Sequence, residues 1–264
     1  MRFCSLGSGS GGNATVVEAS QGITRTRLLI DAGFSQRELT RRLASRGLAP
    51  AELDAIFITH EHGDHIGCAA GFAQRHRIPL WASAGTWQAL SKAQPDFPSE
   101  LRHVARAGEA IPLGDLCLQP YGVPHDAKEP LQLRCHDGAQ HLGVLTDAGS
   151  ISPGMHAALS GCHALLLECN HDVQMLQSNS RYPASLKRRI LGSHGHLSNA
   201  QAAELLRACA HAGLQQVVAA HLSESNNLPE LVLAELLDAR GTQAFEILVA
   251  DQAQGMDWLL LRDA

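Results

Sequence analysis

The chain has 264 residues, 45% of them hydrophobic and 18% charged, with a formal net charge of −5. That length and apolar content suffice for a sizeable core, and the absence of low-complexity or charge blocks excludes a largely disordered chain. No apolar run approaches the ~20 residues of a bilayer-spanning helix, and Met1 to Cys4 leads into Ser and Gly rather than an apolar leader. The seven scattered cysteines include no Cys-x-x-Cys pair and form an odd set, which fits neither a disulfide framework nor a zinc ribbon. The expectation is a soluble, unprocessed cytoplasmic protein with reduced thiols and no membrane partner.

In chain order, strand-length apolar runs bounded by Gly, Pro or polar turns fall at residues 1–6, 14–18, 27–31, 55–59, 78–82, 116–123 and 141–147. Helical spacing covers 36–46 and 65–76 between them. The second half carries helical patterns at 182–191, 199–212 and 228–239, interleaved with strand-like 164–169, 216–220 and 245–249. Strands and helices alternating through both halves predict an α/β layered fold. No composition shift marks a linker, so residues 1–264 read as one domain.

Gly7-Ser8-Gly9-Ser10-Gly11-Gly12 satisfies the dinucleotide pattern G-x-G-x-x-G. Phosphate binding by that pattern needs a helix N-terminus next, and residues 14–18 read as a strand instead. A Gly-rich hairpin connection is the better reading. The fifteen histidines point elsewhere, because imidazole is the commonest metal ligand. Thr59-His60-Glu61-His62-Gly63-Asp64-His65 follows an apolar strand and precedes a helix, and residues leaving a strand's C-terminal end in an α/β sheet point into the ligand crevice. His60, His62, Asp64 and His65 are too crowded to share one tetrahedral ion, so two adjacent ions suit them, and N and O ligands of this kind accept zinc or manganese.

These residues resemble the metallo-β-lactamase superfamily of hydrolases, whose H-x-H-x-D-H loop follows a strand ending in Asp and precedes further His, Asp and His residues at strand ends. Leu28-Leu29-Ile30-Asp31-Ala32-Gly33 is similar to the upstream element, and Val123-Pro124-His125-Asp126-Ala127 to the third. Thr146-Asp147-Ala148-Gly149 resembles the fourth and Val217 to Ser223, with His221, the fifth. The resemblance implies a four-layer αββα sandwich with two metal ions at its edge. By that analogy His60, His62 and His125 hold one ion, Asp64, His65 and His221 the other, and Asp147 bridges them. The pair would supply hydroxide at neutral pH and stabilise charge on the attacked group. Asp31 would stand behind the ligands and orient them. His136 and His141 compete with His125 by proximity, and only the strand-then-His-Asp-Ala context selects His125. His76, His103, His156, His163 and His211 read as surface or core residues.

Substrate class must come from the surroundings. His196, in Gly195-His196-Leu197-Ser198 ahead of a helix, is similar in context to the histidine with which ribonuclease Z and related phosphodiesterases protonate a leaving oxygen. Arg181, Lys187, Arg188 and Arg189 place four positive charges within nine residues, enough to hold a phosphate backbone or simply a solvated helix face. Aromatic residues make up only 4%, too few for sequence-specific single-strand reading. Ser8 to Asn13, Arg181-Tyr182-Pro183, Gly195 to Asn199 and His221-Leu222-Ser223 with Asn226-Asn227 are together similar to the bacterial YycJ (WalJ) subgroup, regarded as 5′ to 3′ DNA exonucleases or uncharacterised hydrolases. Gly63 stands where a typical member has Ser, at a non-ligand position. The resemblance therefore implies a dinuclear phosphodiesterase acting on DNA. The rival is a carboxylic ester, thioester or lactam hydrolase on the same metals, and the sequence leaves the oligomeric state open.

Overall fold

The computed structural model describes residues 1–262. Its central strands are buried on both faces, as strands covered on both sides must be. β1 (Arg2–Gly7), β2 (Ala14–Gln21), β3 (Thr24–Ile30), β4 (Ala55–Ile58), β5 (Leu80–Ala82) and β6 (Arg102–Val104) build the first sheet. β7 (Ile111–Leu113), β8 (Leu116–Gly122), β9 (Leu131–His136), β10 (His141–Leu145), β11 (Ala164–Glu168), β12 (Gln216–Ala220) and β13 (Glu246–Val249) build the second. β14 (Met256–Leu260) returns to the first, giving orders β14-β1-β2-β3-β4-β5-β6 and β13-β12-β11-β10-β9-β8-β7. Neighbours from β3 to β6 and from β10 to β13 are parallel.

The two-residue alternation of strands decides what each face meets. Phe3, Leu28, Ile30 and Phe57 of the first sheet share one core with Leu133, Val144, Leu166 and Val218 of the second. On the outer face of the first sheet, Leu29, Ile56 and Ile58 pack with Leu39 and Leu43 of α1 (Gln36–Ser45), Phe72 of α3 (Ala69–His76) and Trp87 of α4 (Ala84–Ala93). Beyond the second sheet, Leu165, Leu167 and Val217 meet Met155 of α5 (Pro153–Leu159), Leu206 of α8 (Asn199–Cys209) and Val232 of α9 (Pro229–Arg240). Helix, sheet, sheet and helix form four layers, as the resemblance implied. The shorter α2 (Gly63–Ile66), α6 (Val173–Ser178) and α7 (Ala184–Ile190) lie in loops.

Some expected bounds shift for local reasons. The helix anticipated over 65–76 is cut into α2 and α3 at Gly67, whose φ is 30° and whose missing Cβ would stand 2.4 Å from Ala32 O. The pattern over 199–212 ends as a helix at Cys209. α4, α5, α6, β6, β7, β9 and β14 were not anticipated. β14 lies against β1 through Arg2↔Leu260, a pairing of chain ends that no local pattern encodes. The Gly-rich segment is the β1–β2 hairpin connection, with Gly7 opposite Ala14.

A buried ion pair fixes the outer half of the first sheet. Glu18 accepts from Arg2 Nε at 2.8 Å and Arg27 Nε at 2.7 Å. Burial works against the ionised carboxyl, but the two guanidinium partners outweigh it and lower its pKa. Glu18→Ala would leave Arg27 Nε and Arg2 without their carboxylate, with only Glu52 remaining on Arg27 at 2.7 Å, and is expected to cost about 3 kcal/mol in denaturant unfolding. Because the carboxyl is held lower in the folded than in the unfolded state, the stability it contributes is present above the ordinary glutamate range and fades as pH falls below it. The acid-side loss of stability should accordingly be shallower in the variant.

Candidate metal centre

The parallel strands end on one side, and the loops leaving those ends carry the predicted residues. Asp31 follows β3, Thr59 and His60 follow β4, Asp147 lies two residues past β10, Glu168 ends β11 and His221 follows β12. His62 is the N-cap of α2, with Asp64 and His65 in its only turn, so the break at Gly67 turns both side chains inward. His60 and His65 are wholly buried, and Asp31, His125, Asp147 and His221 nearly so.

Two sets of donor atoms converge. His60 Nε2 and His125 Nε2 lie 3.0 and 3.2 Å from His62 Nδ1. Asp64 Oδ2 lies 3.5 Å from His65 Nε2 and 3.4 Å from His221 Nε2. Asp147 stands between, its Oδ2 2.8 Å from His65 Nε2 and its Oδ1 3.9 Å from His125 Nε2. Asp147 Oδ2 is buried and has no hydrogen-bond partner despite that short approach to His65. Three imidazole nitrogens about one point and an orphaned buried carboxylate oxygen fit a shared cation and do not fit a hydrogen-bond network.

The far side of nearly every ring is occupied by the protein. His125 Nδ1 donates to Gly195 O at 2.9 Å, His65 Nδ1 to Asp31 Oδ2 at 2.8 Å, and His221 Nδ1 to Thr146 O at 2.7 Å. His60 Nδ1 lies 3.0 Å from the Thr59 hydroxyl, which itself is 3.0 Å from each Asp31 oxygen. Protonating those outward nitrogens leaves each Nε2 as a lone pair aimed inward, the tautomer a metal ligand needs. Burial holds His60 well below the ordinary histidine range and His125 down to about 4, so both rings are ready as neutral donors. Two non-glycine residues here adopt left-handed backbone, Asp31 at φ 62° and His221 at φ 54°. Each is over-determined: Thr59 N donates to Asp31 Oδ1, and His221 N donates to Ser8 Oγ at 2.8 Å.

His196 joins the same space. Its Nδ1 lies 2.8 Å from Glu168 Oε1 and 3.1 Å from Asp147 Oδ1, with part of the ring open to the cleft. Burial disfavours the imidazolium, but hydrogen bonds to Asp147 and Glu168 outweigh it and raise its pKa to about 9. Glu168 itself escaped the sequence reading, although a glutamate closing an apolar strand was a usable signal. Its other oxygen accepts from Ala148 N at 2.8 Å, tying the Asp147 loop to His196. His171 was also missed, and it is buried with neither ring nitrogen bonded.

The glycine-rich hairpin, set aside as a mere connection, braces the centre. Asn13 Oδ1 accepts from Gly9 N at 2.8 Å, which turns its amide nitrogen to 3.1 Å from His65 Nε2 and 3.4 Å from Asp64 Oδ2. Of the basic segment, Arg189 lines the cleft over the centre and donates to Asp126 Oδ2 at 2.5 Å. Lys187 bonds Gln177 O, and Arg181 and Arg188 are exposed away from that lining. His136 and His141 pair with each other across the β9–β10 hairpin and do not join His125. His103 stacks on Trp81, and His156 and His211 bond backbone carbonyls, all outside the centre.

Asn13→Ala removes the amide that donates to the Asp64 carbonyl at 3.3 Å and lies against the donor atoms Asp64 Oδ2 and His65 Nε2. Titration calorimetry with a divalent ion is expected to show roughly 10-fold weaker binding, the scale of a lost outer-shell contact, with little change in melting temperature of the ion-free protein.

Known proteins share this fold and resemble this chain in sequence. A model of the β-lactamase superfamily domain matches residues 26–222. The chain is 36% identical over 259 residues to the exodeoxyribonuclease WalJ of Streptococcus pneumoniae, covering 97% of this chain and 92% of that one. It is 34% identical over 253 residues to the exodeoxyribonuclease YycJ of Bacillus anthracis, covering 94% of each. Among solved structures, the metallo-β-lactamase fold protein YhfI of Bacillus subtilis superposes with a TM-score of 0.72 at 16% identity, covering 98% of both chains. Human tRNase Z, short form, gives 0.66 at 16% identity, covering 99% of this chain and 100% of that one. The chain belongs to the metallo-β-lactamase superfamily of metal-dependent hydrolases, in the group of the exodeoxyribonucleases WalJ and YycJ.

Proposed function

We propose that the protein is a dinuclear metal phosphodiesterase that degrades DNA from an end, in the 5′ to 3′ direction. The observation that carries this reading is the orientation of the rings: His60, His65, His125 and His221 each commit one nitrogen to the protein and turn the other to a common centre. His60, His62 and His125 would hold one divalent ion and Asp64, His65 and His221 a second, with Asp147 shared. Zinc or manganese bound there would supply the Lewis acid and activate water. Asp31 and Thr59 keep the ligand rings aligned. The relatives' exodeoxyribonuclease activity supports DNA as the substrate class.

The chain's own contribution to bond cleavage lies in His196. With Nδ1 held by Glu168 and Asp147, its Nε2 is the free nitrogen on the cleft side, placed to give a proton to the departing oxygen as the phosphorus–oxygen bond breaks. Glu168 keeps the ring in that orientation and stabilises its charged form. Arg189, within the cleft lining, would meet a non-bridging phosphate oxygen.

Metal-replete protein assayed on 5′-phosphorylated duplex DNA, beside thioester and lactam substrates, tests the reading. DNA should be shortened from its 5′ end, EDTA should abolish the activity, and Asp64→Ala should do the same. His196→Ala should slow turnover roughly 10²- to 10⁴-fold while the bound metal is retained. Turnover of acyl substrates alone, or phosphodiesterase activity unchanged in Asp64→Ala, would contradict it. Equal loss of metal in His196→Ala would make that residue a ligand.

A further inference from the structure

The cleft above the proposed metal ligands has a volume of about 390 Å³, within the range of small-ligand sites. Asp147, His196, His221 and Arg189 supply polar parts of its lining. The apolar part of the lining comes from Tyr182, two residues before α7, and from Leu186 and Ile190, four apart on it. α7 is unusual in this fold because it buries none of its residues. Its position comes from polar tethers to the centre itself. Arg189 is bonded to Asp126, the neighbour of His125, and His196 N donates to Ile190 O at 3.0 Å. Gly195, whose carbonyl orients His125, packs so closely that a Cβ there would stand 2.1 Å from Ile190 O. The apolar wall therefore stands at a set distance from the reacting centre.

An apolar surface beside a polar floor that includes Arg189, His196 and His221 suits a ligand that is flat and apolar on one side and anionic on the other. A nucleotide is such a ligand. Tyr121, the chain's other tyrosine, is buried with its hydroxyl on Val144 O, which leaves Tyr182 as the tyrosine available for stacking. We propose that Tyr182, flanked by Leu186 and Ile190, is the stacking platform for the terminal nucleobase of the DNA end whose scissile phosphate lies over the centre. The inference rests on the phosphodiesterase reading above and adds the subsite that recognises an end. A cleft of about 390 Å³ is on the scale of one nucleotide unit, and stacking on Tyr182 requires the terminal base to unpair. Stacking tolerates any base, because every base has a π-face.

The test compares 5′-phosphorylated oligonucleotides that differ only in whether the terminal residue is normal or abasic. For the wild-type protein, removing the base should raise KM about 5- to 150-fold, the range spanned by one lost stack, and should leave kcat much less affected. Tyr182→Ala should show the same raised KM on the normal end and no further loss on the abasic one, while Tyr182→Phe behaves as wild type. Anisotropy of the labelled oligonucleotides in EDTA should show the same pattern in affinity without turnover. Equal KM for both ends in the wild-type protein, or additive losses in Tyr182→Ala, would overturn the platform and leave the phosphodiesterase reading intact. A metal-replete protein that cleaves neither oligonucleotide overturns that reading and the platform with it.

Discussion

Asp31, Asp147 and Glu168 are withdrawn from water, and Asp64 reaches the same space from the first turn of α2. Carboxylates gathered without hydration oppose folding unless positive charge and directed donors meet them. His65 and His221 are pushed well above the ordinary histidine range even though burial works the other way, because Asp147, with Asp31 beside His65 and Asp64 beside His221, overrides it. The surrounding rings thus take their orientation from carboxylates, carbonyls and a hydroxyl on their far sides. On the proposed reading, two divalent ions complete the neutralisation, and the fold's other features follow from the need to hold six imidazoles and four carboxylates in that arrangement.

The αββα sandwich is suited to the task because its parallel strands end together. β3, β4, β10, β11 and β12 each deliver a residue to one edge without a long loop. Close approaches that only glycine permits lock those strand ends to one another. A Cβ on Gly33 would stand 1.8 Å from Asp64 O, and one on Gly149 would stand 2.2 Å from Gly195 N. The first contact sets the Asp64 turn against the β3 end, and the second sets the His196 segment against the Asp147 loop. The proposed proton-transfer and ligand residues, from distant parts of the chain, are thereby held by backbone packing as well as by side-chain bonds.

Much of this was legible in the residues themselves. His60, His62, Asp64 and His65 fall within six positions, and crowding alone asks for more than one ion. His125, Asp147 and His221 came from the family resemblance, helped by the continuous apolar runs of β10 and β12 that precede Asp147 and His221. Glu168 closes the leucine run of β11, a usable signal that a reading centred on the histidine motifs passes over. Asn13 was hidden because its task is a contact with Asp64 and His65, 51 and 52 residues away. The basic segment misled by composition: four cations lie close in sequence, yet α7 turns only Arg189 to the cleft, and its apolar side faces the same way. α4, with Gly85, Thr86 and Ser91 interrupting its pattern, and β14, an edge strand joined to the chain's other end, gave too little local periodicity.

The central claim is that these ligands form a two-ion centre. Anomalous diffraction from crystals grown with manganese, measured on either side of its absorption edge, addresses it directly. The account predicts two peaks per chain, one among His60, His62 and His125 and one among Asp64, His65 and His221, with Asp147 between them. A single peak, or peaks that leave either histidine set empty, would contradict it.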